Sequence, residues 1–297
     1  MPYFSEMPTF NYPDFVGGKL KQVNSRNILV RAKIIDYIKR TQAAYLNYTI
    51  KDGERPDTVA YKVYGQSEMH WLILLFNEII DPIFEWPLST QDLNNAIGNQ
   101  YSGKTLFIDL RRVLMSIGGV PQSNRLFDGI WYKVGGTVTQ GNAVGTVMSW
   151  DPNLYKIVIR QDSTASFKVT PNITDPTSQF TDLVHDRGDG FVIKAPVGKV
   201  VDDNKYAVHH FENADTGETQ DHHALIQNSD GALLDASILD YYAVYGSEVL
   251  PLPGKTVVSV SNYQHEVTKN DLKRTIKIMR PELMDVVVKD LRKIFIG

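Results

Sequence analysis

Apolar residues at helical spacing occur in two segments near the ends of the chain. Between residues 28 and 44, positions such as Ile28, Ala32 and Ile35 recur every three or four residues, with charged residues between them. This spacing predicts an amphipathic helix. The same spacing predicts a last helix over residues 281–295, which opens on a proline that suits the first helical turn.

A strand, two helices and an extended return are predicted in the first third of the chain. Residues 45–51 form the predicted strand, and a turn follows them. Residues 56–64 and 67–76 form the predicted helices. Between them stands Gly65, because glycine readily adopts the left-handed conformation that ends a helix. Prolines then bend the aromatic-rich segment that follows.

A second and weaker pair of helices is predicted next. The sequence from Ser89 to Asp92 is typical of a helix start, and the helical pattern fades at Gly98. A short periodic stretch then covers residues 106–115 and ends at Gly118. The composition changes beyond this glycine.

Strands dominate the predictions for the middle of the chain. From residue 120 to about residue 200, valine, threonine and isoleucine alternate with polar residues, and glycine is frequent. Short strands at this spacing predict a small antiparallel β-barrel-like domain inserted in the chain. Residues 205–226 predict a hairpin around the turn-like Asp215-Thr216-Gly217.

These elements predict an α+β fold with three parts. Residues 1–118 are expected to form an N-terminal arm and a first domain, and residues 119–200 an inserted β-rich domain. Residues 201–297 are expected to pack back on the first domain as a hairpin and a helix.

The composition narrows the function classes. Hydrophobic residues make up 42% and charged residues 22% of the chain, as in folded globular proteins. A net charge of −3 with scattered basic residues gives no general attraction to nucleic acid. The chain has no cysteine, which excludes disulfides, thiolate catalysis and cysteine-ligated metals. We therefore expect no nucleic-acid partner and no cofactor.

The first residues form an aromatic-rich arm. Residues 1–25 carry several aromatic side chains and three prolines without a helical or strand period. Such an arm docks either on the chain's own core or on a partner. It lacks the basic and apolar regions of a secretory signal, and the longest apolar run, residues 71–76, is too short to cross a bilayer. We expect a protein made in a cytosol, with no membrane partner.

Residues 48–89 have the sequence YTIKDGERPDTVAYKVYGQSEMHWLILLFNEIIDPIFEWPLS. This segment resembles the core of the LysM-like baseplate wedge subunits of contractile-tailed, T-even-type bacteriophages. The flanks NILVRAKIID and YQHEVTKNDLKRTIKIMRPELMDVVVKDLRKIF are similar to the ends of that family. The resemblance covers about half of the chain and implies a LysM-like βαα core with helical flanks. The core-forming positions expected from it are Tyr48, Ile50, Val59, Tyr61, Val63, Trp71, Leu72, Leu75 and Phe76. Residues 120–200 depart from the shorter T-even-type version.

The resemblance implies assembly rather than catalysis. It implies a non-enzymatic subunit that joins neighbouring wedge proteins while a sixfold baseplate forms in the host cytoplasm, and that ends in the virion tail. The expected partners are other wedge subunits and sheath-initiating or hub-proximal proteins. The candidate contact residues lie after the second helix and in the basic stretch near the C-terminus: Asp81, Pro82, Phe84, Trp86, Lys273, Arg274, Lys277 and Arg280. For Phe84 and Trp86, burial in the chain's own core is the alternative.

Two other function classes stay open. A LysM-type fold can bind peptidoglycan, so the alternative function is a peptidoglycan-binding module of a tail-associated protein. The apolar runs WLILLF and IIDPIFEW favour burial against protein over contact with sugar hydroxyls. Wall hydrolysis would need paired carboxylates, for which the candidates are Glu54, Asp57, Glu68, Glu78 and Asp81. Two of them, Asp57 and Glu68, stand at predicted helix starts, where negative charge is stabilised by the helix dipole.

Two adjacent histidine pairs stand on the two arms of the predicted hairpin, namely His209-His210 and His222-His223. One member of each pair could meet across the strands, with Glu212 or Asp221 as a further metal ligand. Because adjacent residues of a strand point to opposite faces, each pair offers at most one ligand to a face. We therefore expect hydrogen-bonded polar edges here rather than a metal.

Overall fold

The computed structural model describes residues 7–16, 19–27, 41–108, 114–117, 120–122, 132–152, 154–170, 182–213, 216–220, 250–252 and 255–296. The chain divides into two compact units. Unit 1 comprises residues 1–94 and 267–297, and unit 2 comprises residues 95–266.

The described residues form six α-helices and seventeen strands. In chain order the helices are α1 (Pro56–Tyr64), α2 (His70–Phe76), α3 (Pro82–Glu85), α4 (Thr90–Gln100), α5 (Asn262–Leu272) and α6 (Pro281–Ile296). The strands are β1 (Thr9–Val16), β2 (Lys19–Arg26), β3 (Tyr45–Thr49), β4 (Lys104–Ile108), β5 (Leu114–Ile117), β6 (Val120–Gln122), β7 (Thr137–Gln140), β8 (Ala143–Asp151), β9 (Lys156–Gln161), β10 (Leu183–Asp186), β11 (Phe191–Ala195), β12 (Val197–Val201), β13 (Val208–Asn213), β14 (Thr219–Gln220), β15 (Leu250–Leu252), β16 (Lys255–Ser261) and β17 (Thr275–Met279).

A two-stranded antiparallel sheet joins distant parts of the chain in unit 1. Strand β3 pairs with β17, with Tyr45 opposite Met279 and Thr49 opposite Thr275. Along β17 the exposed Lys277 stands between the buried Ile276 and Ile278, which is the alternation of a strand with one face in a core. The C-terminal segment thus completes a sheet that begins near residue 45.

Helices α1 and α2 pack with this sheet to form the core of unit 1. Val59, Leu72 and Ile73 are completely buried, together with Ile278 and Met279 on β17. The expectation that Tyr61 belongs to this core is wrong, since its side chain is 65% exposed. Residues advance by about 100° along a helix, so Tyr61 lies on the opposite face from Val59.

The helix ends agree with the local signals in the sequence. The predicted helix over residues 56–64 is α1, and the predicted helix over residues 67–76 is a 3₁₀ turn that continues into α2. Gly65 has a φ of 71°, and its N–H donates to the Tyr61 carbonyl at 2.9 Å, so the glycine ends α1 in the left-handed conformation. The predicted C-terminal helix is confirmed as α6.

The N-terminal arm contains a β-hairpin. Strands β1 and β2 pair antiparallel, with Thr9 opposite Arg26 and Val16 opposite Lys19. The sequence of the arm shows no strand period and does not predict this hairpin. Most of the helix predicted for residues 28–44 lies outside the described residues, and residues 42–44 form a 3₁₀ turn.

A large antiparallel sheet forms most of unit 2. Nine described strands are hydrogen-bonded in the order β12-β4-β9-β8-β7-β10-β11-β5-β6, and the sheet includes a nearly closed, barrel-like arrangement of seven strands. Its core contains Leu106, Val138, Ile157 and Leu183, all completely buried. Mixed helix and strand with this sheet confirm the α+β class. Strands β13 to β16 form a second, four-stranded sheet.

The helix suggested for residues 106–115 is wrong. Its described residues belong to β4 and β5, and Leu106, Phe107 and Ile108 are all buried. A short apolar run that is buried on both faces cannot be told from a helix by its period. Strand β4, which precedes the predicted boundary at residue 119, pairs with β9 and β12 and lies with them in unit 2.

Unit 2 also extends beyond the predicted boundary at residue 200. Strands β13 and β14 form the predicted hairpin, with Glu212 opposite Thr219. This hairpin lies in unit 2, whereas residues 201–266 were expected to pack on the first domain. The distal arm that contains His222 and His223 lies outside the described residues.

Candidate interaction surface

The segment after α2 is a short, internally bonded structure, which we call the α3 turn (residues 80–86). The Asp81 carboxylate accepts the Ile83 N–H at 3.0 Å and so caps α3. The Glu85 carboxylate accepts the Ile80 N–H at 3.1 Å. Pro82 occupies the first helical position, where its missing N–H costs nothing. The backbone of the turn is therefore held by its own side chains.

The α3 turn exposes three large apolar side chains, which we call the apolar patch (Ile80, Ile83 and Phe84). Their side chains are 67%, 76% and 74% exposed, respectively. The Lys273 ammonium donates to the Phe84 carbonyl at 2.7 Å and links the turn to the C-terminal segment of unit 1. Exposed apolar residues grouped on an ordered turn are typical of a protein contact.

Trp86 has the opposite environment. It is 6% exposed, and its indole N–H donates to the Glu54 carbonyl at 2.7 Å. Trp86 thus packs in the core of unit 1, which is the alternative to a partner contact, and it anchors the α3 turn from inside. Of the two aromatic candidates, Phe84 is the one whose exposed side chain can contact another protein.

The Glu54 carboxylate is the centre of a hydrogen-bond network beside Trp86. It accepts the Tyr48 hydroxyl at 2.9 Å, the Lys51 N–H at 2.8 Å and the Lys62 ammonium. Burial favours the protonated acid, but the bonds from Lys62, Lys51 and Tyr48 outweigh it and lower the pKa of the Glu54 carboxyl. In return, burial and the neighbouring carboxylate raise the pKa of the Tyr48 hydroxyl to about 12. These contacts give Glu54 a structural function.

The basic contact candidates Arg274 and Lys277 interact with other residues of unit 1. The Arg274 guanidinium lies 3.1 Å from the Asp52 carboxylate and 3.0 Å from that of Asp271. The Lys277 ammonium lies 4.6 Å from the centre of the Tyr45 ring, a cation–π contact. These contacts fasten the C-terminal segment to the N-terminal part of the unit. They leave the prediction that Arg274 and Lys277 also contact a partner untested.

Arg280 directly follows β17 and also makes a contact within unit 1. Its backbone N–H donates to the Ala44 carbonyl at 3.0 Å and extends the pairing of β3 with β17 by one bond. It is half-buried, and its participation in a contact with another protein stays a prediction.

The β1–β2 hairpin exposes apolar side chains on both of its faces. Phe10, Tyr12 and Phe15 on β1 are 43%, 52% and 74% exposed, and Leu20 on β2 is also exposed. Phe10 and Tyr12 stack edge to face with ring centres 6.2 Å apart. A hairpin of two strands is only marginally stable in water by itself. A partner that covers these side chains would stabilise it.

The structure brings three histidines of unit 2 together. His209 and His210 on β13 meet His265 on α5, and one nitrogen of each ring lies within 4.8 Å of the others. Sequence reasoning missed His265, because no spacing rule relates positions 209 and 265.

None of the helices in the described part of the chain combines the length and apolar character that a membrane span requires.

Comparison with known proteins gives two findings. Residues 10–104 match the family described as base plate wedge protein 53. The chain is also 34% identical over 68 residues to the baseplate wedge protein gp53 of Enterobacteria phage T4, an alignment that covers 22% of this chain and 35% of the relative. The chain therefore spans about a third of the length of this curated relative. The family match includes β3, α1, α2 and the α3 turn. The similarity to baseplate wedge proteins supports a baseplate structural role. It includes the part of unit 1 that carries the apolar patch.

Proposed function

We propose that this chain is a non-enzymatic structural subunit of a phage tail baseplate wedge, and that unit 1 joins neighbouring wedge proteins during assembly. The observation that carries the proposal is the family match over residues 10–104. The proposal places the chain in the tail baseplate of the virion after assembly in the host cytoplasm. It needs surfaces that bind protein and no catalytic group.

The apolar patch supplies such a surface. Full burial of a large apolar side chain contributes about 1.5–3 kcal/mol, so three of them can make a substantial contribution to binding. The hydrogen bonds from Asp81 and Glu85 already hold the α3 turn in shape. A preordered surface loses little conformational entropy on binding, which leaves more of the burial energy as affinity.

We further propose that β3, α1 and α2 form a LysM-like core. The order strand, helix, helix and the return of β17 beside β3 support this proposal. The proposed partners are other wedge subunits and the sheath-initiating or hub-proximal proteins of a sixfold baseplate. The β1–β2 hairpin offers a second contact, separate from the apolar patch.

Co-expression with candidate wedge subunits of the same contractile tail tests the proposal. We expect a stoichiometric complex in size-exclusion chromatography with light scattering. The double variant Ile83→Ser with Phe84→Ser should lose the complex and keep the circular dichroism of the wild type. Tyr61→Ser is the matched control, since it removes an equally exposed aromatic residue of unit 1 outside the α3 turn.

Two outcomes would contradict different parts of the proposal. A complex that survives the double variant unchanged would exclude the apolar patch as the contact. Absence of a complex with every wedge subunit would contradict the assembly function itself.

A peptidoglycan-binding module is the second candidate, and the strand-helix-helix order of unit 1 favours it. Sedimentation of the chain with purified peptidoglycan, at the same concentrations, separates the two functions. Retention on peptidoglycan without wedge complexes would replace the first proposal by this one.

A further inference from the structure

We propose that His209, His210 and His265 of unit 2 form a binding site for a divalent transition metal of the zinc class, with Glu212 as the residue that orients His210. The site is separate from the apolar patch and does not depend on the proposed function. It lies in residues outside the family match, which ends at residue 104.

A β-bulge makes the arrangement possible. Where β13 pairs with β16, Val208 is opposite Ser261 and His210 is opposite Val260, so that His209 is an extra residue in β13. A bulge changes the direction of the side chains beside it. The Nδ1 atoms of His209 and His210 consequently lie 2.8 Å apart. The expectation that two adjacent histidines point to opposite faces is wrong at this position.

The hydrogen bonds fix the protons in the neutral pair. The Nε2 atom of His210 lies 2.8 Å from the Glu212 carboxylate, which accepts only, so this nitrogen carries the proton. The Nδ1 atom of His210 then has a free lone pair, and His209 donates to it from its own Nδ1. One proton therefore lies between two nitrogens at the place where a metal ion would bind both.

The bond between His210 and the Glu212 carboxylate is of the kind that orients metal-bound imidazoles in proteins. A ligating histidine commonly donates its other ring N–H to a carboxylate, which fixes the tautomer and strengthens the ligand. Zinc binds imidazole nitrogen at about 2.0–2.1 Å, so two nitrogens in tetrahedral coordination are about 3.3 Å apart. The two Nδ1 atoms need to separate by only about half an ångström to accept the ion.

His265 is the third ligand and has to turn. Its ring is stacked on that of His209, with centres 4.0 Å apart and planes inclined by 8°. An imidazole coordinates in the plane of its ring, so two parallel rings cannot share one ion. His265 is half-buried in the first turn of α5, and rotation of its side chain would direct a nitrogen at the ion. Metal binding would then tie the first turn of α5 to β13 within unit 2.

The charges around the site include both signs. The Lys156 ammonium donates to the Val208 carbonyl at 2.8 Å and disfavours a further cation. The carboxylates of Glu212 and Glu266 oppose this effect. Burial, followed by the neighbouring His265, His210 and Lys156, lowers the pKa of His209 to about 4.

Titration of the 297-residue chain, without an affinity tag, with Zn²⁺ and with Co²⁺ tests the proposal. We expect one ion per chain and, for Co²⁺, the visible absorption of a tetrahedral site. Long-range ¹H–¹⁵N spectra of the imidazoles should show the Nδ1 signals of His209 and His210 shifting on addition of Zn²⁺. Glu212→Gln should weaken binding by about 10–100-fold, as expected for a residue that orients a ligand.

Variants at the ligands make the test specific. His210→Ala and His265→Ala should each weaken binding more than Glu212→Gln does, and should melt like the wild type when no metal is present. His70→Ala is the matched control, because this exposed histidine of α2 bonds only locally to the Ser67 carbonyl. A wild-type chain that binds no Zn²⁺ at about 0.1 mM, or that binds it equally well without His210, would overturn the proposal.

Discussion

Replacement of Trp86 by alanine should destabilise unit 1 strongly, whereas replacement of Phe84, two residues earlier, should not. Trp86 is 6% exposed and belongs to the core around α1, α2 and β17. Truncation of a buried tryptophan costs about 3–5 kcal/mol, because the surrounding side chains do not refill the cavity. The Glu54 carbonyl also loses the indole N–H that lies 2.7 Å away.

The two parts of this cost can be separated. Trp86→Phe keeps much of the ring volume but removes the N–H, and a buried acceptor without its donor costs about 1–3 kcal/mol. Phe84→Ala removes a side chain that is 74% exposed and should change the free energy of unfolding by less than about 0.5 kcal/mol.

Scanning calorimetry and urea denaturation of the purified chain measure these differences. For a unit of this size, 1 kcal/mol shifts Tm by about 4 °C, so Trp86→Ala should lower the Tm of the unit 1 transition by more than about 10 °C. Equal melting of the Trp86→Ala and Phe84→Ala chains would refute the assignment of Trp86 to the core. A large fall in Tm for Phe84→Ala would show that the apolar patch is part of the fold.

Three further changes have defined outcomes. Glu54→Gln should destabilise unit 1 by about 1–3 kcal/mol at pH 7. Since the pKa of the Glu54 carboxyl is lowered from 4.5, this contribution is complete above that pH and is lost as the pH falls through the folded-state pKa, so the urea curves of variant and wild type should converge in acid. Gly136→Ala should destabilise unit 2 by about 1–3 kcal/mol, because its Cβ would lie 2.5 Å from His185 Cε1, in a ring held by Thr137 and Lys133; an unchanged Tm would contradict this close approach. Gly98→Ala should stabilise α4 by up to about 1 kcal/mol, since no atom lies near the new methyl group, and a lower Tm would count against the helical assignment.

The helices of unit 1 could be predicted because their signals are local. Pro56 and Gly65 delimit α1, and the apolar run after residue 70 belongs to α2. Strand β17 shows an equally clear alternation of Ile276 and Ile278 with polar residues, but its basic residues are also typical of an exposed contact segment. Its partner β3 lies more than 200 residues away, and no local signal specifies such a pairing.

The sites were less predictable than the elements. Phe84 and Trp86 belong to one apolar sequence, and only the packed structure shows which side chain enters the core. Adjacent histidines converge because of a bulge, which depends on the register of β13 with β16 and not on the histidines themselves. His265 joins them through tertiary packing of α5.

The pairing of β3 with β17 also sets an order of events during synthesis. Residues 275–279 follow residues 45–49 by about 230 positions, and at 5–20 residues per second translation needs roughly 10–50 s to reach them. During that time unit 2 is synthesised, and the edge of β3 lacks its partner strand β17. A fragment cut to residues 10–104 would contain the recognisable family segment and still be half of a sheet. The sheet of unit 1 can therefore form only after β17 has been synthesised.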